Sequence, residues 1–213
     1  MKGFLFDLDG TLVDTAIDML EALRILAAED GIAVKPDYNE YKQLITYGSK
    51  AIVSSIYGEL RQAEFVKLQQ RYLTIYADIL TQGSGLFAGI DAVIQQLDEN
   101  NIPWGIITNK PKYLAEPLVK SLKQLQNCQL LIGGDSYQYA KPHPYGLLKA
   151  MQIMQLNPQN SWYIGDAKSD IDAGNAAKMN TAVALWGYLA SDDEPQSWQA
   201  DILLADCSQI LHL

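Results

Sequence analysis

The strongest constraint on this chain is an alternation of two kinds of segment. Residues 3–8, 104–108, 130–133, 162–165 and 181–185 are short apolar runs, of the length and character of strands buried on both faces. Between them, residues 90–97, 113–125, 145–154 and 171–178 carry helical periodicity. Strand and helix in turn predict an α/β fold, a Rossmann-like parallel sheet with helices on both faces. The alternation breaks once. From residue 15 to about 81, Ala, Leu, Ile, Glu, Gln and Lys dominate and no buried-strand run occurs, which predicts an inserted all-helical domain. The expected division is a core domain of residues 1–14 and 82–213 and a helical domain of residues 15–81. Gln82-Gly83-Ser84-Gly85 then reads as a flexible return between the two, a natural hinge. At 213 residues, one medium domain carrying an insertion is a reasonable size.

Composition narrows the function. The chain is 48% hydrophobic and 19% charged, enough for a proper core, and wholesale disorder is excluded. Its net charge of −9 repels polyphosphate backbones, so nucleic acid is not expected as a partner. The insertion holds 9 acidic and 7 basic residues, leaving 16 and 9 for the remainder, so carboxylates concentrate in the sheet domain. No apolar run approaches the ~20 residues needed to span a bilayer. Phe4-Leu5-Phe6-Asp7 places a carboxylate where a signal peptide still needs its apolar stretch, so neither leader nor membrane anchor is expected. Cys128 and Cys207 match no zinc or redox spacing and suit a reducing cytoplasm.

Open parallel sheets bind ligands at the carboxyl ends of their strands. After the first predicted strand come Asp7, Asp9, Gly10 and Thr11; after the second, Thr108 and Asn109; Lys141 follows the third; after the fourth come Gly165, Asp166 and Asp170. Hard carboxylate oxygens without imidazole or thiolate suit Mg2+, which keeps waters for a substrate phosphate. A carboxylate can attack phosphorus to give an aspartyl-phosphate, and a second Asp two residues on can protonate the leaving oxygen and then deprotonate water. Thr108 and Lys141 would hold the equatorial oxygens of the transferring group.

In that order, Asp7-Leu8-Asp9-Gly10-Thr11, Thr108-Asn109, Lys141-Pro142 and Gly165-Asp166 with Asp170 resemble the four motifs of the haloacid dehalogenase superfamily, over nearly the whole chain. Within it, residues 105–111, Ile132-Gly133-Gly134-Asp135 and Lys141-Pro142-His143-Pro144 resemble the phosphoglycolate phosphatase group. Phe87-Ala88-Gly89, Ala115-Glu116-Pro117, Trp186-Gly187-Tyr188 and Trp198 with Ala200-Asp201 resemble the N-acetylmuramic acid 6-phosphate phosphatases.

The resemblance implies Asp7 as nucleophile and Asp9 as acid and base. Mg2+ would be held by Asp7, Asp166 and the Asp9 carbonyl with Asp170 in support, and phosphate by Thr108, Asn109 and Lys141. It implies that the insertion is a cap that closes over the site and helps choose the substrate. Lys50, in Tyr47-Gly48-Ser49-Lys50-Ala51, is the cap candidate for reading the rest of that substrate. Two departures stand out. Tyr145 occupies a position often acidic in the family, so Lys141 must find support elsewhere, and Lys178 replaces a usual glycine near a helix end.

The expected activity is hydrolysis of a small phosphorylated metabolite, with phosphoglycolate, a sugar phosphate or a phosphomutase reaction as alternatives. A dehalogenase has no use for a second Asp as acid and base. A non-catalytic phospho-receiver also carries an acidic pair, an Asp and a Lys, but has no use for a helical lid. A calcium loop wants an acidic or amide residue and then Gly where Thr11 and Leu12 stand. Neither a phosphate-binding Gly-Lys loop, a dinucleotide fingerprint nor a cysteine-phosphatase signature is present.

Overall fold

A computed structural model describes residues 1–58 and 61–213. Six strands form one parallel sheet: β1 (Phe4–Phe6), β4 (Trp104–Ile107), β5 (Leu131–Ile132), β6 (Trp162–Gly165), β7 (Asn180–Ala184) and β8 (Ile202–Leu204). Their order across the sheet is β5-β4-β1-β6-β7-β8, so the chain's first strand lies inside the sheet, paired with both β4 and β6.

Side chains alternate across the sheet, as a period of two demands. Phe4 and Phe6 enter one core with Ile106, Ile164 and Ala182, beneath α5 (Ile90–Glu99) and α6 (Lys112–Ser121). Leu5 enters the opposite core with Ile107, Ile132 and Tyr163, beneath α7 (Tyr145–Met154) and α8 (Lys168–Ala176). A strand buried on both faces has no polar side to show, which is why β1 reads as an unbroken apolar run.

The helical insertion comprises α1 (Ala16–Glu29), α2 (Tyr38–Ile45), α3 (Gly48–Tyr57) and α4 (Gln62–Ile79). Leu23, Leu26, Ile52, Val53, Phe65, Leu68, Tyr72 and Tyr76 build its own core, joined by Leu114 and Tyr188 from the sheet body. The two chain crossings run side by side as an antiparallel ribbon of β2 (Val13–Asp14) and β3 (Gly85–Leu86).

Three local features depart from the sequence expectation. The return at residues 82–85 is pinned: buried Asp18 accepts from the backbone N–H of Thr81, Gly83 and Ser84 and from the Ser84 hydroxyl. A carboxylate with four donors is a fixed anchor, and Gly83 serves close packing, since a Cβ there would run into Ile17. Second, α8 begins at Lys168, before the expected residue 171, because Asp170 Oδ2 accepts the Ala167 N–H at 3.0 Å and satisfies the helix start. Third, β8 was not expected from its sequence. Its first residue is exposed, and it joins the sheet edge through pairing with β7. Lys178 sits just past the end of α8 at φ 60°, the left-handed conformation that explains why glycine is usual there.

Candidate active site

The strand ends deliver the site. Asp7 directly follows β1, and its N–H continues the ladder to Ile164 O at 2.8 Å. The chain then turns tightly, with Leu12 and Val13 N–H both bonded to Leu8 O. Gly10 makes this turn at φ 83°, and a Cβ there would collide with the Asp166 carboxylate, so only glycine allows the two loops to meet. Thr108 follows β4, Asp166 follows β6, and Asp170 lies in the first turn of α8.

Asp7, Asp166 and Asp170 converge, each offering an oxygen within 4.8 Å of the others. Lys141 Nζ enters the cluster 2.8 Å from Asp7 Oδ1 and 2.6 Å from Asp170 Oδ1. Tyr163 donates to the same Asp170 oxygen at 2.9 Å, so Asp170 supplies the support that Tyr145 cannot give Lys141. Asp166 accepts from Tyr188 N–H and the Thr11 hydroxyl.

The cluster is electrostatically incomplete. Burial pushes the Asp7 carboxyl up to about 7, Lys141 opposes the rise, and Asp170 adds to it. Burial and the charges of Asp7 and Asp170 hold Asp166 well above the carboxylate range. Asp7 Oδ1 is buried and, despite its closeness to Lys141, makes no properly angled hydrogen bond. Three clustered carboxylates against a single ammonium, with no imidazole or thiolate among them, fit a small hard divalent cation such as Mg2+.

Asp9 is placed differently from its neighbours. Its carboxylate stands outside the cluster of Asp7, Asp166 and Asp170. Oδ1 instead accepts from the Thr15 hydroxyl at 2.6 Å and from Lys110 Nζ at 2.9 Å, on the cap side of the cavity. Thr108 Oγ1 accepts the Lys110 N–H, which leaves its hydroxyl proton to donate into the cavity that it lines. The Asn109 side chain is committed elsewhere: it exchanges two hydrogen bonds with the Lys141 backbone, at 3.0 and 3.1 Å. Its amide therefore anchors the Lys141 loop, while the residue also lines the cavity.

A cavity of about 290 Å³ lies over these groups. Its far wall comes from the cap: Met19, Ile45, Ser49, Gln69, Leu73 and Tyr76. Lys50 is exposed and lies outside the lining, contrary to expectation. Successive helical residues point about 100° apart. Ser49 faces inward, accepting from Gln69 Nε2 at 2.8 Å, and the next residue turns to solvent. Sequence reasoning also missed Lys110, Tyr76, Gln69 and Tyr188. The available signals were the lysine beside Thr108-Asn109 and the Trp186-Gly187-Tyr188 segment.

A parallel sheet with β1 inside it, acidic residues at the ends of β1 and β6, and a helical cap inserted after β1 define a class of phosphate-handling hydrolase. The chain belongs to the haloacid dehalogenase-like hydrolases, whose family model matches residues 4–184. It is 37% identical over 209 residues to the phosphoglycolate phosphatase of Xanthomonas campestris, covering 98% of this chain and 94% of that protein. It is also 32% identical over 205 residues to the N-acetylmuramic acid 6-phosphate phosphatase of Pseudomonas putida, covering 96% and 92% respectively. The crystal structure of a predicted phosphoglycolate phosphatase from Haemophilus somnus superposes with a TM-score of 0.87 at 23% identity, covering 100% of this chain and 97% of that one, and shows the shared fold. The chain is thus a hydrolase of this family, and its curated relatives over nearly the whole length are phosphatases. Among the described residues, no helix is long and apolar enough to cross a membrane.

Proposed function

We propose that the protein is a Mg2+-dependent phosphomonoesterase that hydrolyses a small phosphorylated metabolite through an aspartyl-phosphate on Asp7. The observation that carries this reading is the buried Asp7 carboxylate on the cavity floor, grouped with Asp166, Asp170 and Lys141 and overlooked by Thr108.

Asp7, Asp166 and Asp170 are the residues suited to hold the cation. When bound, Mg2+ would offset carboxylate charge and orient a phosphate for in-line attack. An Asp7 oxygen attacks phosphorus as the bond to the leaving oxygen breaks, and Asp9 gives that oxygen its proton. Asp9 then takes a proton from water, the resulting hydroxide attacks the aspartyl-phosphate, and inorganic phosphate leaves with Asp7 restored. Lys141 and the Thr108 hydroxyl steady the equatorial oxygens throughout. Asp170 and Asn109 position Lys141, through its ammonium and its backbone respectively. The free cysteines fit a reducing cytoplasm.

Phosphoglycolate follows from the relatives' names. A sugar phosphate is the second reading, favoured by the cavity itself. Its volume of about 290 Å³ equals that of roughly ten waters, more than a two-carbon leaving group requires. The cap wall offers uncharged hydrogen-bonding groups, Ser49 and Gln69, beside apolar Ile45 and Leu73, which suits a hydroxylated ring.

The test is a steady-state screen of phosphoglycolate, N-acetylmuramic acid 6-phosphate, hexose phosphates and nucleotides with Mg2+, then EDTA, then Asp7→Asn. One compound should lead strongly in kcat/KM, and chelation should abolish turnover reversibly. Asp7→Asn should lower kcat by roughly 10³ or more while the protein stays folded. Full turnover in chelator with metal removal verified, or wild-type kcat in Asp7→Asn, would sink the mechanism.

A further inference from the structure

Lys110 is a buried cation that the reaction just described leaves unused. It follows Asn109 on the loop leaving β4, lines the cavity and is only 7% exposed. An ammonium removed from water is costly unless it is paired, so its partners indicate its purpose. Nζ lies 2.9 Å from Asp9 Oδ1 and 2.7 Å from the Tyr76 hydroxyl, and 4.6 Å from the centre of the Tyr76 ring. Burial opposes the charge, yet Asp9 and Tyr76 together hold it above the ordinary lysine range. One partner belongs to the sheet body and the other to α4 of the cap, so Lys110 ties the two together across the cavity.

The contact also fixes Asp9. Oδ1 receives both Lys110 and the Thr15 hydroxyl, whereas Oδ2 makes no hydrogen bond among the described residues. With one oxygen clamped, the other is the one left to exchange a proton with bound substrate. We propose that Lys110, held by Tyr76 of the cap, is a positioning residue for Asp9: it clamps Oδ1 so that Oδ2 meets the leaving-group oxygen, and it makes that alignment depend on a seated cap. This rests on the reading of Asp9 as acid and base, and it adds Lys110 and Tyr76, which lie outside the carboxylate cluster.

A misaligned acid leaves a kinetic signature distinct from general damage. An alkoxide leaves poorly without its proton, while p-nitrophenolate leaves well without one, so loss of acid catalysis depends on the leaving group. The ratio kcat/KM reports steps through leaving-group departure, so later water activation does not enter it. The experiment measures kcat/KM for an alkyl phosphate (glucose 6-phosphate or phosphoglycolate, whichever the wild type cleaves faster) and for p-nitrophenyl phosphate. It compares wild type, Asp9→Asn, Lys110→Met and Tyr76→Phe. Asp9→Asn should lose far more on the alkyl ester. Lys110→Met should follow it with at least tenfold greater loss on the alkyl ester than on the aryl ester. Tyr76→Phe, which keeps the ring and removes only the hydroxyl, should show a severalfold difference in the same direction. If Lys110→Met fails to fold, Tyr76→Phe decides alone. Equal losses on both esters in the Lys110 and Tyr76 variants, or none, while Asp9→Asn discriminates, overturn the positioning role and leave the phosphatase reading intact. Absence of discrimination in Asp9→Asn, or an inactive wild type, overturns the acid assignment and the positioning role with it.

Discussion

Asp7 shows how one residue's surroundings set its chemistry. Alone, a carboxylate is ionised at neutral pH; here burial raises its affinity for a proton to about pH 7 against the pull of Lys141. The folded state therefore keeps a proton that the unfolded chain releases above the ordinary carboxylate value of 3.8. In the metal-free protein, the associated stability is fully present below that value and is lost as pH rises through about 7. A divalent cation competes for the same oxygens. Calorimetry should show the Tm of EDTA-treated protein falling over this window, and Mg2+ raising Tm more at pH 8 than at pH 5. A Mg2+ effect independent of pH would separate the cation from this cluster. The aspartates themselves were legible in the sequence because the motif spacing marks them. That the Asp9 carboxylate turns to Lys110 was not, since a side chain's direction after a strand depends on the turn that follows and on partners far along the chain.

At the scale of elements, most strands and helices could be read from local periodicity, and their failures are equally local in cause. Residues 145–154, a helix by their periodicity, form α7 over that span and bury Leu147, Ala150, Met151 and Met154. The start of α8 was misplaced because its capping group, Asp170, lies inside the helix it caps. The Trp186-Gly187-Tyr188 motif proves to serve the base of the cap: the Tyr188 hydroxyl accepts from the N–H groups of Thr15 and Ala16 and donates to Asp14. It thereby satisfies orphan donors at the start of α1, where Thr15 makes no side-chain cap. The Asp18 anchor leads to a second prediction. Asp18→Ala leaves three backbone N–H groups without their acceptor and should cost about 1–3 kcal/mol in urea unfolding. Loss of nothing measurable would mean that water replaces the carboxylate freely. Lys178 argues in the opposite direction. Its left-handed conformation is strained for a side chain bearing Cβ, so Lys178→Gly should stabilise by about 1 kcal/mol and raise Tm by roughly 2–4 °C. An unchanged or lower Tm would show the strain to be negligible there.

Across the whole molecule, the cavity is shared between two bodies that the chain joins twice, and under the proposed function the cap residues that line it would choose the substrate. Gln69 and Ser49 reach it and Lys50 does not. Gln69→Ala should therefore change the ranking of substrates in kcat/KM by about tenfold, the effect of a lost hydrogen bond or two to the leaving group. Lys50→Ala should stay within twofold on every substrate. A large Lys50 effect with none at Gln69 would move the recognition surface back to the exposed turn of α3. The sequence alone determined the alternation that makes a parallel sheet, the helical insertion after the first strand, and the strand-end residues Asp7, Thr108, Lys141 and Asp166. These are readable because burial on both faces and loop chemistry are written in neighbouring residues. Tertiary structure alone decided that the Asn109 amide anchors the Lys141 loop, that Ser49 and not Lys50 faces inward, and that Lys110 joins Asp9 to Tyr76. Those partners stand 101 and 34 residues from Lys110 along the chain, and no local pattern encodes a meeting over such separations. Only the packing of cap against sheet brings them within hydrogen-bonding distance.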